Sequence, residues 1–312
     1  MDNNVSKSQI FSKILEFIKF MIYPLIELYG YFVFIGLFCL QGKNINIYLL
    51  LTFFLVYHLL LMNKIIFFIE LYVIKNVSTI DLFPSTKKLK QHDQFVNINP
   101  FVKQNVIERD IKESQFCNIC NTFKPPRCHH CSKCNQCILK FDHHCNILNI
   151  CIGFHNYNFF IKFLLNNVLL NAFIITIIML DIFLVEELRA KILACYVVAI
   201  FCFGIEFIIA CVLLIFHAML LSRNETTIEY YALNAYIKGD HSYVHIFQEG
   251  PIKNFIDSKD RKILNPYNLG FKENFQAIFG NTLWKVLSPI FNSDEDGVHF
   301  KTNDFDVDNN EI

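Results

Sequence analysis

The chain has 312 residues, 54% of them apolar, and Phe is unusually frequent at 34 copies. Its 28 basic and 28 acidic residues balance, so no global field points to nucleic acid, and no such partner is expected. Length alone would allow about two soluble domains. The apolar residues instead fall in long blocks between strongly polar stretches, which excludes an ordinary soluble core.

Residues 1–16 are polar, lack the small-residue cleavage site of a secretory signal, and carry Asp2, which excludes N-myristoylation. The first apolar block runs from Phe17 to Leu40, interrupted by Lys19, Pro24 and Glu27. A second begins at Ile47 and continues past Lys64 to about Ile74. Roughly 20 apolar helical residues cross a bilayer core, so 17–74 predicts a transmembrane hairpin, with Lys64 snorkelling near one interface. Residues 75–158 are polar. Phe159–Leu180 predicts a third span, with Asn167 and Asn171 four apart and suited to interhelical hydrogen bonds. A short loop containing Asp181, Glu186, Glu187, Arg189 and Lys191 leads to a fourth, Ile192–Leu221, which completes 159–221. The tail, 222–312, is polar with one amphipathic patch, where Phe271, Phe275, Ile278 and Phe279 form a stripe. Its acidic end, Asp304 to Glu311, predicts disorder. His58 and His217, inside apolar blocks, read as helix-packing residues.

Four spans place both termini and the central loop on one side. Lys7, Lys13, Lys19, Lys75, Lys87, Lys88, Lys90 and Arg223 flank that side, against Lys43, Arg189 and Lys191 opposite, so it is expected to be cytoplasmic. Three Asn-x-Ser/Thr sequons, at Asn4, Asn76 and Asn224, fall on this side and are expected to carry no glycan.

Eight of the 12 cysteines lie between Cys117 and Cys151 with histidines interleaved. Two Cys-x2-Cys knuckles, Cys117/Cys120 and Cys131/Cys134, with Cys and His at short intervals are a strong zinc signal in a reducing compartment. Counting Cys128 and His155, thirteen candidate ligands are available, and two four-coordinate sites would use eight. Spacing alone leaves open which are spare.

The segment Cys117–Phe160 resembles the cysteine-rich domain of the DHHC protein S-acyltransferases. The resemblance rests on Cys117, Cys120, Lys124-Pro125, Arg127, His129 to Cys131, Cys134, Cys137, Asp142-His143-His144-Cys145, Asn149, Cys151, Gly153, Asn156 and Phe160. Thr226-Thr227-Ile228-Glu229 is similar to the family's Thr-Thr-x-Glu motif, and Asn265 to Phe279 to its aromatic C-terminal motif. Where the family usually has Pro-Trp after the last motif Cys, this chain has Asn146-Ile147, and Ile150 replaces an Asn. The resemblance implies a membrane all-α fold: four transmembrane helices with a cytoplasmic zinc-bound domain, 117–160, between spans two and three. It implies two structural zinc ions, one on Cys117, Cys120, His130 and Cys137, the other on Cys131, Cys134, His144 and Cys151. It also implies a multi-pass protein of the eukaryotic endomembrane system (Golgi, ER or plasma membrane), acting on membrane-associated proteins with cytoplasmic cysteines.

This leaves Asp142, His143 and Cys145 for chemistry. A thiolate is the soft nucleophile that thioester exchange needs; His143 can take the proton and Asp142 can orient the imidazole. The resemblance then implies that Cys145 is acylated by fatty acyl-CoA and passes the acyl group to a substrate cysteine, with Lys124, Arg127 and His129 facing the CoA phosphates. The bland alternative makes Cys145 a zinc ligand and His143 an orienting residue. Two other functions compete: a catalytically weak zinc-domain scaffold that recruits partners, favoured by Asn146-Ile147, and a transporter with a zinc sensor, favoured by Glu27 and Glu206 within the apolar blocks. Glu206 is expected in an acyl cavity or against Asn167 or Asn171.

Overall fold

Four helices long and apolar enough to cross a membrane organise the chain, which is described here from a computed structural model: α1 (Met21–Cys39), α2 (Ile47–Val73), α4 (Tyr157–Leu184) and α5 (Ala190–Ser222). The described residues are 21–40, 45–74, 76–83, 116–185, 189–240, 242, 265–282, 285, 288, 293 and 295–303. The expectations for residues 1–16, for the sequon at Asn4 and for Asp304–Glu311 lie outside them. A short α3 (Thr79–Leu82) follows α2. Then come six short strands: β1 (Phe116–Cys117), β2 (Thr122–Phe123), β3 (His129–Cys131), β4 (Gln136–Ile138), β5 (His143–Cys145) and β6 (Ile150–Ile152). The tail contributes α6 (Thr227–Ile237) and α7 (Phe271–Phe279).

Contacts divide the chain into two units. The first comprises Met1–Leu71, Cys145–Asn149 and Phe159–Phe216. Its helices are apolar on every face, the pattern of a segment with lipid around it rather than of a helix floating on a soluble core. Leu55 is 67% exposed and Phe201 69% exposed, and such side chains are stable outward only against hydrocarbon. Inward, Phe34 stacks on Tyr57 at 4.0 Å, in a core that includes Leu170, Ile174, Tyr196 and Phe203. The last turns of α1, from Phe32 to Cys39, are π-helical, and the Leu40 amide donates to the Ile35 carbonyl.

The polar residues of this unit correct three expectations. Lys64 does not snorkel: it is 1% exposed, and its ammonium lies 2.5 Å from Glu27 and 3.2 Å from Glu206. One cation thus ties α1, α2 and α5, because a charge in hydrocarbon persists only with a partner. The two acids that favoured an ion pathway are the arms of that tie. Asn171 donates to Asn167 one turn earlier on the same helix (3.4 Å), not to another helix. Asp181, read from sequence as a loop residue, is buried within α4 and accepts from the Tyr196 hydroxyl at 2.6 Å.

The second unit comprises Tyr72–His144, Ile150–Asn158 and His217–Ile312. The strands form three antiparallel-type hairpins, β1–β2, β3–β4 and β5–β6, each a two-stranded sheet. So small a sheet buries little on its own. Cross-links must hold it, and the cysteines and histidines supply them. In the tail, α6 starts on a capping box. Thr226 Oγ1 accepts from the Glu229 amide while the Glu229 carboxylate accepts from the Thr226 amide. Along α7 the rings of Phe271, Phe275 and Phe279 stack in series, and Asn274 ties the helix back by donating to the Ser222 carbonyl and to Asn268.

Candidate functional site

The three hairpins repeat with a period of 14 residues. Cys117, Cys131 and Cys145 open the three turns; Cys120, Cys134 and Leu148 stand three residues on; Asn121, Asn135 and Asn149 close them. The three asparagines have φ of 55°, 52° and 53°, the left-handed region that Asn tolerates better than other residues with a Cβ. Before and after each turn the repeat places Phe116, His130 and His144, and Phe123, Cys137 and Cys151.

This repeat explains the ligand sets. Cys117, Cys120, His130 and Cys137 bring their donor atoms within 4.8 Å of one another, and so do Cys131, Cys134, His144 and Cys151. Each cluster therefore takes the two turn cysteines of one hairpin together with the His and the second-strand Cys of the next. Three hairpins in series make two such clusters. The ends are left over: Phe116 and Phe123 in the first hairpin, Cys145 and Leu148 in the last. After β6 the chain enters α4, so no fourth hairpin follows to complete a third cluster. Leu148, buried where a second turn cysteine would stand, removes the other ligand.

The geometry fits a four-coordinate zinc. Zn–S near 2.3 Å and Zn–N near 2.05 Å in a tetrahedron require N···S edges of about 3.6 Å. The Nδ1 of His130 lies 3.6, 3.2 and 3.8 Å from the sulfurs of Cys117, Cys120 and Cys137. The Nδ1 of His144 lies 3.6, 3.4 and 3.6 Å from those of Cys131, Cys134 and Cys151. Amides of Cys120 and Cys134 point at the sulfurs of Cys117 and Cys131. Such N–H···S contacts are the usual support of a thiolate ligand. Cys128, His129, His143, Cys145 and His155 belong to neither four-ligand cluster.

Asp142 lies buried just before β5. Its carboxylate accepts from His143 Nδ1 at 2.6 Å, from the Thr227 hydroxyl at 2.8 Å and from the Thr227 amide at 2.9 Å. Burial alone would raise this carboxyl. The bond and charge of His143, with the Thr227 amide, outweigh it and hold the group below its usual range. Asp142 thus orients the His143 imidazole through Nδ1. Thr227 therefore braces Asp142 while Thr226 caps α6. Cys145, two residues on, is a half-buried cysteine at the end of β5, outside any disulfide. Ile147, in the turn after it, is 62% exposed.

Arg127 departs from its expected place on a phosphate surface. It is buried, and four of its five N–H groups are spent internally. Nε and one terminal nitrogen donate to the two oxygens of Glu229 (2.7 and 2.8 Å), and the terminal nitrogens also donate to the carbonyl and side chain of Asn224 (2.8 and 3.1 Å). Its plane lies 4.3 Å from the Tyr267 ring and 5.3 Å from that of Phe300. A forked cation in such a slot braces the tail against the hairpins. Lys124 and His129 are half-buried rather than enclosed. The sequon amides are also engaged: Asn76 donates to the Cys151 carbonyl and Asn156, and Asn224 to the Tyr267 carbonyl.

One residue beside Asp142 was read from sequence only as a helix-packing residue. His217, on α5, has a ring nitrogen in a cluster with Asp142 and His143. A histidine in an otherwise apolar span was the available signal.

Residues 110–234 match the sequence profile of the family described as DHHC palmitoyltransferase. Palmitoyltransferase ZDHHC15 of Rattus norvegicus is 33% identical over 192 residues, 60% of this chain and 50% of that protein. Palmitoyltransferase ZDHHC20-B of Danio rerio is 32% identical over 197 residues, 60% and 52% of the two chains. The protein named Probable protein S-acyltransferase 13 of Arabidopsis thaliana is 34% identical over 191 residues, 58% and 53%. The chain spans about half the length of these curated relatives.

Proposed function

We propose, for a chain that belongs to the DHHC protein S-acyltransferase family, that it moves a long-chain, palmitoyl-like fatty acyl group from acyl-CoA to cysteines of membrane-associated proteins through a thioester on Cys145. The observation that carries this reading is the 14-residue repeat, which spends eight Cys and His side chains on metal and strands Cys145 beside an oriented imidazole. In the first step His143 takes the thiol proton and the Cys145 sulfur attacks the thioester carbonyl. A carbon–sulfur bond to Cys145 forms as the bond to CoA breaks, and CoA leaves with the proton held by His143. In the second, the substrate thiol gives its proton to His143 and its sulfur attacks the Cys145 thioester; Cys145 departs and regains a proton. Asp142 keeps His143 in the tautomer that both steps need and stabilises its cation.

Two Zn2+ ions would be held by Cys117, Cys120, His130 and Cys137 and by Cys131, Cys134, His144 and Cys151. With four protein ligands each, they supply structure rather than activated water. Lys124 and His129 contact the CoA phosphates in this reading; Arg127 does not, because its donors are committed to Glu229 and Asn224. The chain is a multi-pass membrane protein with four spanning helices. We place residues 1–16, the 75–158 loop and the 222–312 tail in the cytosol, the hairpin 17–74 and spans 159–221 in an endomembrane, on the balance of basic residues.

Hydroxylamine-sensitive labelling of the purified chain with an alkyne fatty acyl-CoA tests this. Wild type takes label and Cys145→Ser takes none, with two zinc ions in both. Label retained on Cys145→Ser would remove Cys145 as nucleophile. A metal-replete wild type that takes no label would leave the scaffold reading, which Asn146-Ile147 favours.

A further inference from the structure

We propose that His217 and Tyr157 form a positioning pair that helps to fix His143 alongside its carboxylate partner, Asp142. The inference rests on His143 acting as the proton acceptor of Cys145. Its anchors are as follows. The His217 ring centroid is 5.7 Å from that of His143, with planes 37° apart. His217 is 2% exposed, and the two rings and Asp142 present ligating atoms within 4.8 Å of one another. The Tyr157 hydroxyl is 3.2 Å from His217 Nδ1, and the two rings meet edge to face at 5.7 Å. Tyr157 is itself buried.

The physical argument concerns what one hydrogen bond leaves undetermined. Asp142 pins Nδ1 of His143, but the side chain turns about two torsions, and a catalytic imidazole must be held within a fraction of an ångström. A side chain packed on it, and itself anchored by the Tyr157 hydroxyl, removes the remaining freedom. That side chain must also be uncharged, because His143 becomes a cation during each transfer and a second cation this close would oppose it. Tyr157 supplies the condition. In this proposal its O–H donates to Nδ1 of His217, 3.2 Å away, so that nitrogen is the acceptor and the single ring proton sits on Nε2. The pair thus acts through His143.

The same three side chains also resemble a two-histidine, one-carboxylate metal site. We do not read them so. The Asp142 oxygens are already bonded to Thr227 and His143, and Nδ1 of His217 faces Tyr157, so hydrogen bonds account for the cluster.

The test uses the full chain in detergent with both metals bound. Self-acylation rates are measured against palmitoyl-CoA concentration for His217→Phe, His217→Asn, Tyr157→Phe and the Tyr157→Phe/His217→Phe pair, with zinc content throughout. Phe keeps a ring and loses the nitrogens; the Asn carbonyl oxygen can accept from Tyr157 where Nδ1 did. The expected result is a roughly tenfold lower maximal rate for His217→Phe with unchanged KM, a part of the 10²–10⁴ that general acid–base catalysis contributes. His217→Asn regains most of the rate. Tyr157→Phe loses part of it, and the double variant is no slower than His217→Phe alone. A full rate in His217→Phe, a change in KM only, or additive losses in the double variant would overturn the pair. If His217→Phe fails to hold zinc, Tyr157→Phe and His217→Asn decide on the same terms: a full rate in the first or a Phe-like loss in the second sinks the proposal. Label on Cys145→Ser would instead mark failure of the underlying acyl-transfer reading.

Discussion

Cys134→Ala is expected to lower bound zinc below one ion per chain, not from two to one. The reason is the sharing of hairpin β3–β4, which gives Cys131 and Cys134 to one cluster and His130 and Cys137 to the other. Structural zinc contributes an apparent 10–16 kcal/mol in small zinc-folded peptides, roughly the whole stability of an ordinary domain. These two- and three-residue strands are too short to stay paired on their ladder bonds alone. Loss of one ion therefore releases the strand that presents ligands to the other. Metal analysis of the purified chain, with limited proteolysis between 116 and 152, reads the effect. Cys128→Ala is the control: Cys128 is a fully buried thiol in neither cluster, and its removal should leave two ions and cost about 1–2 kcal/mol. One ion retained in Cys134→Ala would mean that the two clusters fold independently.

Arg127→Ala is expected to destabilise the chain by about 3–5 kcal/mol, because it strands the Glu229 carboxylate in a buried slot. Arg127→Lys should recover little, since one ammonium cannot bond both Glu229 oxygens and the Asn224 carbonyl at once. Arg127→Ala/Glu229→Gln should be less unstable than Arg127→Ala alone. Thermal unfolding in detergent measures all three, and a phosphate-binding role would give a different result, a raised KM for acyl-CoA at unchanged stability. Acid dependence carries the same signature. Burial would raise the Glu229 carboxyl, but the Arg127 charge and bonds outweigh that and hold it below the ordinary value of 4.5. A carboxyl depressed on folding contributes its full stability above the unfolded value and loses it as pH falls through the folded one, so wild type and Arg127→Ala should converge as pH falls below 4.5.

What the sequence disclosed follows from how far each signal reaches. Long apolar blocks set the four helices to within a few residues, because hydrocarbon thickness demands length whatever the partners. Partners across space were another matter. Lys64 read as an interface residue because sequence gives depth along one helix and not the carboxylates on two others. Arg127 read as a solvated loop cation for the same reason: Glu229 is a hundred residues away in the chain. Asp181 lay past the drop in hydropathy and so fell in a loop, while Tyr196 allowed the helix to carry it inward. The zinc ligand sets came from resemblance; spacing left thirteen candidates for eight places. The 14-residue repeat resolves that choice and was present in the sequence throughout, marked by Asn121, Asn135 and Asn149 at the turn positions that need a left-handed backbone.

The central claim is that the sulfur of Cys145 binds no metal while its neighbours do. Native alkylation of the metal-replete chain with iodoacetamide, followed by peptide mapping before and after zinc removal, tests it most directly. Among the eight cysteines from Cys117 to Cys151, the account predicts rapid modification at Cys145 alone, with Cys117, Cys120, Cys131, Cys134, Cys137 and Cys151 modified only after chelation. Protection of Cys145 until zinc is removed would make it a ligand and contradict the account.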